Sequence, residues 1–235
     1  MKNKLLFFLF YVLISHFLVA QTVSITTDSQ GRMITNFSSK SINRRGGISS
    51  TNYTILGSPF LGGSIWHLGT ITLDNLTVIP STLSYDLTTG ILYTIDSVEN
   101  KQLEIKPNYF TFEGAEFVRF KTHFLGFTNI EYGNLIYDGN IKLLVKLRKS
   151  VGRPNNFHNP GSGEDGTYLD NNEYYLQRQE GKFERITLNS GSILAKLMDK
   201  KNEISEFLRN SKINIKDERD LILILKFYDG LGDNK

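Results

Sequence analysis

The sequence predicts an α+β fold: an antiparallel β-meander, curled into an open roll or partial barrel, followed by two or three C-terminal helices. Between residues 53 and 188, short runs of β-branched and aromatic residues alternate in polarity and are separated by turn residues. From residue 189 onward the apolar period changes to about 3.6, as in amphipathic helices. A parallel sheet is disfavoured because helices do not alternate with strands along the chain.

The N-terminal segment 1–20 has the pattern of a secretory signal peptide. A positively charged start precedes an apolar run from Leu5 to Ile14, and the small Ala20 stands just before the expected cleavage site. A transmembrane anchor is the alternative, but the stretch from Leu5 to Ala20 is shorter than the roughly 20 residues that span a bilayer. We therefore expect an exported protein, periplasmic or extracellular, whose mature chain begins at Gln21.

Composition restricts the classes of function. The chain has 27 basic and 24 acidic residues, and without Lys2 and Lys4 of the signal the balance is 25 to 24. This near-neutral mature chain lacks the basic excess that is typical of nucleic-acid-binding proteins. It has no cysteine, which excludes thiol nucleophiles, zinc–thiolate sites and the lipid anchor of a lipoprotein. No apolar run after the signal approaches the length of a transmembrane segment.

The segment 21–52 is rich in Ser, Thr and Asn, and its composition predicts a loosely ordered region. Within it, Val23–Thr26 alternates apolar and polar residues and could add one edge strand to the main sheet. A β domain is expected over 53–188, with a long polar loop at 149–172. A helical segment, 189–235, should pack on the sheet.

Three hairpins are expected in the β domain. Gly90 can adopt the positive φ that joins a strand at 82–87 to one at 91–95. Asp138-Gly139 is the strongest turn signal, and Glu180-Gly181 marks the last hairpin.

The strand after Asp138-Gly139 shows the alternation of a sheet with one solvated face. Its apolar positions are Ile141, Leu143, Val145 and Leu147, whereas Lys142, Lys146 and Arg148 fall on the opposite face. Leu144 does not fit this pattern.

The C-terminal segment carries two helix-capping signals. Ser190 or Ser192 could cap the first helix, Asp217 could cap the last, and Gly230 stands where that helix should end.

Histidines do not indicate a metal site. The mature chain has His67, His123 and His158, which are far apart in sequence and lack the spacing that places two ligands on one face. We expect the single tryptophan, Trp66, to pack and His67 to face solvent; a sugar or peptide platform is the alternative.

Acidic residues are the other catalytic candidates. Two carboxylates about 5 to 9 Å apart can hydrolyse a glycosidic bond, and Glu113, Glu116 and Glu131 are the acids on predicted strands. Glu113 and Glu116 flank Gly114, and a solvated turn is the simpler interpretation. The loop acids are candidates for Ca²⁺ ligands, but without the spacing of a calcium loop we interpret them as a polar loop: Glu164, Asp165, Asp170 and Glu173.

Two further motifs have simple interpretations. Gly57 and Gly62-Gly63 lack the residues of a phosphate-binding loop and are interpreted as turns. Asn36, Asn52 and Asn75 begin triplets of the N-glycosylation type, which arise often by chance in a chain rich in Asn and Thr.

Short motifs resemble a family of exported Bacteroidota proteins of uncharacterised function. They are Gly57-Ser58-Pro59-Phe60-Leu61, the Tyr85-Asp86-Leu87 hairpin, Glu173-Tyr174-Tyr175-Leu176 and the Lys-rich helical tail. The resemblance implies a lineage and a compartment, and it brings no catalytic residue, cofactor or metal ligand. It also implies that Asp96-Ser97-Val98 is a site of O-glycosylation, with Ser97 as the acceptor.

The sequence leaves three hypotheses of function. The leading one is a non-catalytic envelope module that binds a protein or glycan partner and needs no cofactor. The second is a hydrolase of envelope polysaccharide that uses paired carboxylates. The third is a structural accessory of an envelope assembly, for which an exposed apolar patch would be the sign.

Overall fold

The structure, a computed structural model, describes residues 20–42, 48–96, 98–124, 127–152, 165–178, 181–213 and 215–232. The chain divides into two compact units. The first comprises the described parts of Met1–Ser58 and Val151–Tyr168, and the second those of Pro59–Ser150 and Leu169–Lys235.

The first sheet has five strands in the order β1-β2-β3-β13-β12. These strands are β1 (Ala20–Thr27), β2 (Met33–Ile42), β3 (Ile48–Leu56), β12 (Lys149–Gly152) and β13 (Gly166–Asp170). β12 and β13 each have residues in both units.

In the first unit, β1, β2 and β3 form an antiparallel meander. Val23 pairs with Phe37, and Phe37 pairs with Tyr53, whose ring stacks on that of Phe37 at a centroid distance of 4.7 Å. β13 joins β3 in parallel, and the Asp165 carboxylate accepts a hydrogen bond from the Thr54 backbone N–H at 2.7 Å. Composition predicts a loosely ordered segment 21–52. Its described residues instead form paired strands, because cross-strand side-chain pairs such as these stabilise a sheet of polar strands.

The second sheet has ten strands in the order β15-β14-β11-β10-β9-β8-β4-β5-β6-β7. Neighbouring strands of this sheet all run antiparallel. The strands are β4 (His67–Thr72), β5 (Val78–Asp86), β6 (Ile91–Asp96), β7 (Lys101–Ile105), β8 (Tyr109–Phe112), β9 (Ala115–Phe124), β10 (Phe127–Asp138), β11 (Ile141–Lys146), β14 (Glu173–Arg178) and β15 (Glu184–Ile186). The sheet is not closed, since β15 and β7 lie at its two ends.

Three helices and a short 3₁₀ turn follow the last strand, so the predicted α+β class is confirmed. The helices are α1 (Ser190–Lys196), α2 (Lys201–Ser211) and α3 (Glu218–Gly230), and the 3₁₀ turn is Met198–Lys200. Asp217 caps α3 as expected, accepting a hydrogen bond from Asp220 N. The cap of α1 is Asn189, which accepts from Ser192 N, rather than Ser190 or Ser192. None of the described helices combines the length and hydropathy needed to cross a bilayer.

The largest apolar cluster of the second unit joins the helices to one end of the sheet. On the sheet side it contains Leu143 of β11, Leu176 of β14 and Ile186 of β15. On the helix side it contains Ile204 of α2 and Leu221 of α3, both fully buried. The helices therefore cover one face of these three strands.

Two further clusters complete the core of the second unit. One lies around β5, β6, β8, β9 and β10, where the Phe110 and Phe117 rings stack at 4.6 Å. The other is small and consists of Phe120, Leu144 and Tyr175.

Strand β11 is covered on both faces, which corrects the expectation of one solvated face. Leu143 belongs to the helix-covered cluster, whereas its neighbour Leu144 packs with Phe120 and Tyr175. Successive side chains of a strand point to opposite faces, so these two clusters lie on opposite sides of β11. Lys146 shares the Leu144 face and is only 5% exposed. Leu144 therefore marks a second buried face.

The expected hairpins are present, and the predicted long loop contains two strands. β5 pairs with β6 across Gly90, β10 with β11, and β14 with β15. The turn between β10 and β11 lies at Gly139 and Asn140. The predicted loop 149–172 contains β12 and β13, and its central part lies outside the described residues.

Candidate functional site

A cavity of about 570 Å³ lies on the Leu144 face of the second sheet, and we call it the charged cleft. Four of its polar lining residues are buried or half-buried and contact one another: Glu131, Lys146, Glu173 and Tyr175. The remaining lining residues are Thr122, Asn129, Arg148, Lys182, Phe183, Glu184, Arg185 and Lys196.

Strand register brings these residues together from distant parts of the chain. Lys146 on β11 pairs with Glu173 on β14, and Asn129 on β10 pairs with Thr122 on β9. Residues two apart on a strand share a face, so Lys146 lies on the same side as Leu144. The apolar cluster of Leu144, Phe120 and Tyr175 therefore lies at the base of the cleft.

Lys146 is the centre of a buried ion cluster. Its Nζ lies 2.6 Å from Oε1 of Glu131 and 3.8 Å from Oε2 of Glu173, and 6% of its side chain is exposed. A buried ammonium is tolerated when carboxylates offset its lost hydration. Because β11 lies between β10 and β14, Glu131 and Glu173 flank Lys146 on its two sides.

Glu173 has two further partners. The Tyr175 hydroxyl donates a hydrogen bond to its Oε2 at 2.9 Å, and Nη2 of Arg185 lies 3.2 Å from its Oε1. Burial, followed by the hydrogen bond to Glu173, raises the pKa of Tyr175 well above its ordinary value. The tyrosine therefore stays a neutral hydrogen-bond donor over the whole physiological range.

The cleft carries more positive than negative groups. Five lining residues are Lys or Arg, and three are Glu. Lys146 and Arg185 contact the acids of the ion cluster, and Lys196 pairs with Glu184. Arg148 and Lys182 make no side-chain hydrogen bond or ion pair with any residue that the structure describes. Among the described residues, these two side chains are therefore the cations of the cleft that lack an acidic partner.

The arrangement favours binding over acid–base chemistry. A general acid must carry a proton that it can transfer to the leaving group. Both carboxylates of the cluster instead contact cations, and Glu173 also accepts the Tyr175 hydrogen bond. The cluster holds fixed charges and donors around a concave space, which suits recognition of a polar ligand.

Glu131 and Glu173 are the two sequence candidates that the structure brings together. In the sequence they belong to separate groups, Glu131 among the strand acids and Glu173 among the acids of the long loop. Glu173 is the first residue of β14 and is half-buried. The strand pairing that joins β11 to β14 creates the site, and no local motif encodes that pairing.

The other acids do not join this site. Glu113 occupies the β8–β9 turn with Gly114, both at positive φ, as the solvated-turn interpretation expects. Glu116 is exposed on β9. Asp165 binds the Thr54 backbone in the first unit, and Asp170 is exposed at the end of β13. Glu164 lies outside the described residues.

His67 does not face solvent, which corrects that expectation. Its side chain is 14% exposed, and its ring lies 4.5 Å from that of Phe112. Nδ1 lies 3.2 Å from Glu113 Oε1, and Nε2 lies 3.2 Å from the Ser64 carbonyl oxygen. Trp66 is half-buried beside it. His67 therefore links the loop before β4 to the β8–β9 turn through these two contacts.

Other sequence candidates fall outside the described residues or form no cluster. Ser97, the possible O-glycosylation acceptor, and His158 lie outside the described part of the chain, as does the side chain of His123. Among the residues that the structure describes, no group of three or more His, Cys, Asp or Glu could hold a metal ion.

Lys146 and Arg148 are the candidate site residues that the sequence patterns do not reveal. The alternation on β11 assigns both to a solvated face. Leu144, which shares that face, is the available signal that the face is covered.

No family model, curated protein or solved structure matches this chain.

Proposed function

We propose that this protein is a non-catalytic, exported β-rich module that binds a glycan of the cell envelope through the charged cleft. The observation that carries the proposal is the cleft itself, a cavity of about 570 Å³. Ligand-binding pockets commonly enclose about 300 to 1,000 Å³. The fixed ion cluster and the apolar support beneath it keep such a space open before a ligand arrives.

A glycan fits this lining better than a protein surface does. Protein partners usually need an interface of more than about 1,000 Å². The cleft is concave and offers the hydroxyl of Thr122 and the amide of Asn129 for hydrogen bonding. The half-buried ring of Phe183 gives the apolar face of a sugar ring a surface to contact.

The compartment and the lineage form part of the same proposal. The signal-like segment 1–20 supports export to the periplasm or extracellular space, and the absence of cysteine supports a protein that is not a lipoprotein. The motif resemblance supports a place among exported Bacteroidota proteins. We also propose that the ten-stranded sheet curls into an open roll or partial barrel, as twisted antiparallel sheets often do.

Affinity recovery from envelope extract tests the proposal. The immobilised protein should retain a glycan, and the Asn129→Ala variant should retain less, because this exposed amide lines the cleft. Asn202→Ala is the matched control, since Asn202 is exposed on α2, away from the cleft lining. Recovery of a stoichiometric protein and no glycan would contradict the proposal.

A polysaccharide hydrolase is the second candidate, because two carboxylates, Glu131 and Glu173, line the same cleft. In that case the recovered glycan should become shorter during incubation with the wild-type protein. Glu131→Gln or Glu173→Gln should then abolish the shortening. Unchanged chain length after prolonged incubation supports the binding module.

A structural accessory is the third candidate. Leu76 and Val78, in and after the β4–β5 turn, are 75% and 59% exposed. Concentration-dependent self-association that Leu76→Ser abolishes would favour this role.

A further inference from the structure

We infer that the glycan bears a carboxylate, as in a uronic acid, and that Arg148 and Lys182 bind this group in the charged cleft. The inference rests on the proposed function and specifies its ligand class. It follows from the charge that the cleft leaves unmatched.

The acids of the cleft already have partners. Glu131 and Glu173 contact Lys146, Glu173 also contacts Arg185, and Glu184 pairs with Lys196. A cationic ligand would have to share these acids with the internal cations. An anionic ligand displaces none of them.

The unmatched cations differ in burial. The Arg148 side chain is half-buried with no hydrogen bond or ion pair to its guanidinium among the described residues, whereas Lys182 is exposed. A partly desolvated cation gains more from an anion than an exposed one does. Arg148 should therefore contribute more to affinity than Lys182.

A carboxylate matches the chemistry of these two cationic groups. The planar guanidinium offers two parallel N–H donors to the two carboxylate oxygens, and the lysine adds a compact charge. The Asn129 amide and the Phe183 ring line the same cavity and are available to the rest of the sugar. Together these groups select an acidic sugar over a simple anion.

Calorimetric titration of the full chain tests the inference. The probes are tetrasaccharides of galacturonate, of alginate and of hyaluronan, each paired with its carboxyl methyl ester, together with inorganic phosphate. At least one acidic tetrasaccharide should bind about tenfold or more tightly than its ester. Its affinity should fall at higher salt, because screening weakens the charge interaction.

Variants assign the effect to the two residues. Arg148→Gln should weaken binding of the acidic probe about tenfold, Arg148→Lys should weaken it less, and Lys182→Gln should have a smaller effect than Arg148→Gln. Lys226→Gln, an exposed position on α3, is the control and should change nothing. Thermal denaturation of each variant shows that the fold is retained.

The outcomes separate this inference from the proposed function. Equal binding of acid and ester overturns the inference and leaves a glycan-binding module. Unchanged affinity in Arg148→Gln, or phosphate binding as tight as that of the sugar, also overturns it. If no tetrasaccharide binds and the envelope extract yields no glycan, both the inference and the proposed function are wrong.

Discussion

The ammonium nitrogen of Lys146 lies 2.6 Å from Oε1 of Glu131, with 6% of the lysine side chain and 19% of the glutamate side chain exposed. Removing one member of a buried ion pair leaves an uncompensated charge, which costs more than the net value of the pair. The stability of the protein should therefore depend on the two residues jointly.

A double-mutant cycle tests this dependence. Glu131→Gln and Lys146→Met should each lower the free energy of unfolding by about 2 kcal/mol, and the double variant should lose less than the sum. Urea denaturation at neutral pH measures all four proteins. Lys142→Met is the control, because Lys142 forms an exposed pair with Asp138 and should matter little. Strictly additive losses would contradict the coupling.

The burial of the Lys146–Glu131 pair is a feature that local sequence signals do not predict. Such signals suffice for the hairpins at Gly90 and Gly139, because turn chemistry and alternation lie within a few residues. The Asp217 cap is predictable for the same reason. The burial of Lys146 depends on β14, which follows it by more than twenty residues, and on cover for a face that the alternation assigns to solvent.

The N-terminal strands show a second limit. Residues 21–52 are too polar to reveal a core pattern, yet β1, β2 and β3 pair over their length. Backbone hydrogen bonds between strands need no apolar side chain, so composition underestimates order in such segments.

Gly69 is predicted to tolerate no side chain. A Cβ at this position would collide with the backbone carbonyl oxygen of Thr111 on β8 and would lie 2.9 Å from Leu83 Cδ1. We expect Gly69→Ala to lower the free energy of unfolding by about 3 kcal/mol, since a backbone atom cannot rotate away. Gly230→Ala, where a Cβ meets nothing within 4 Å, is the control in the same denaturation experiment. Equal free energies of unfolding for Gly69→Ala and Gly230→Ala would contradict the close approach of β4 and β8 at Gly69.

Ionisation of Tyr137 should destabilise the folded state at alkaline pH. Burial and a 2.7 Å hydrogen bond to Asp229 raise the pKa of Tyr137 to about 12, from an ordinary value of 10.0. The folded state therefore holds this proton more tightly, so stability is complete below about pH 10 and falls as pH rises toward 12. Tyr137→Phe should be less stable than wild type at neutral pH, by about 1 kcal/mol, and the difference should shrink toward about pH 12. A constant difference in urea denaturation would contradict this assignment.

Asp217 should affect the pH dependence of stability in acid rather than in alkali. The backbone hydrogen bond from Asp220, followed by the contact with Arg219, lowers the pKa of Asp217 below 3.8. Its contribution to stability is therefore present above that value and is lost as pH falls through the lowered pKa. Asp217→Ala should melt at a lower temperature than wild type at neutral pH, and the gap should narrow at about pH 2. A gap that stays constant would mean that the capping carboxylate does not titrate as expected.

Hydrogen–deuterium exchange with a bound envelope glycan shows whether the charged cleft is the binding site. The glycan should slow amide exchange in β10, β11 and β14 and over residues 181–186, and should leave exchange in β5–β7 unchanged. Protection confined to the first sheet or to β5–β7, with none in the strands that line the cleft, would contradict it.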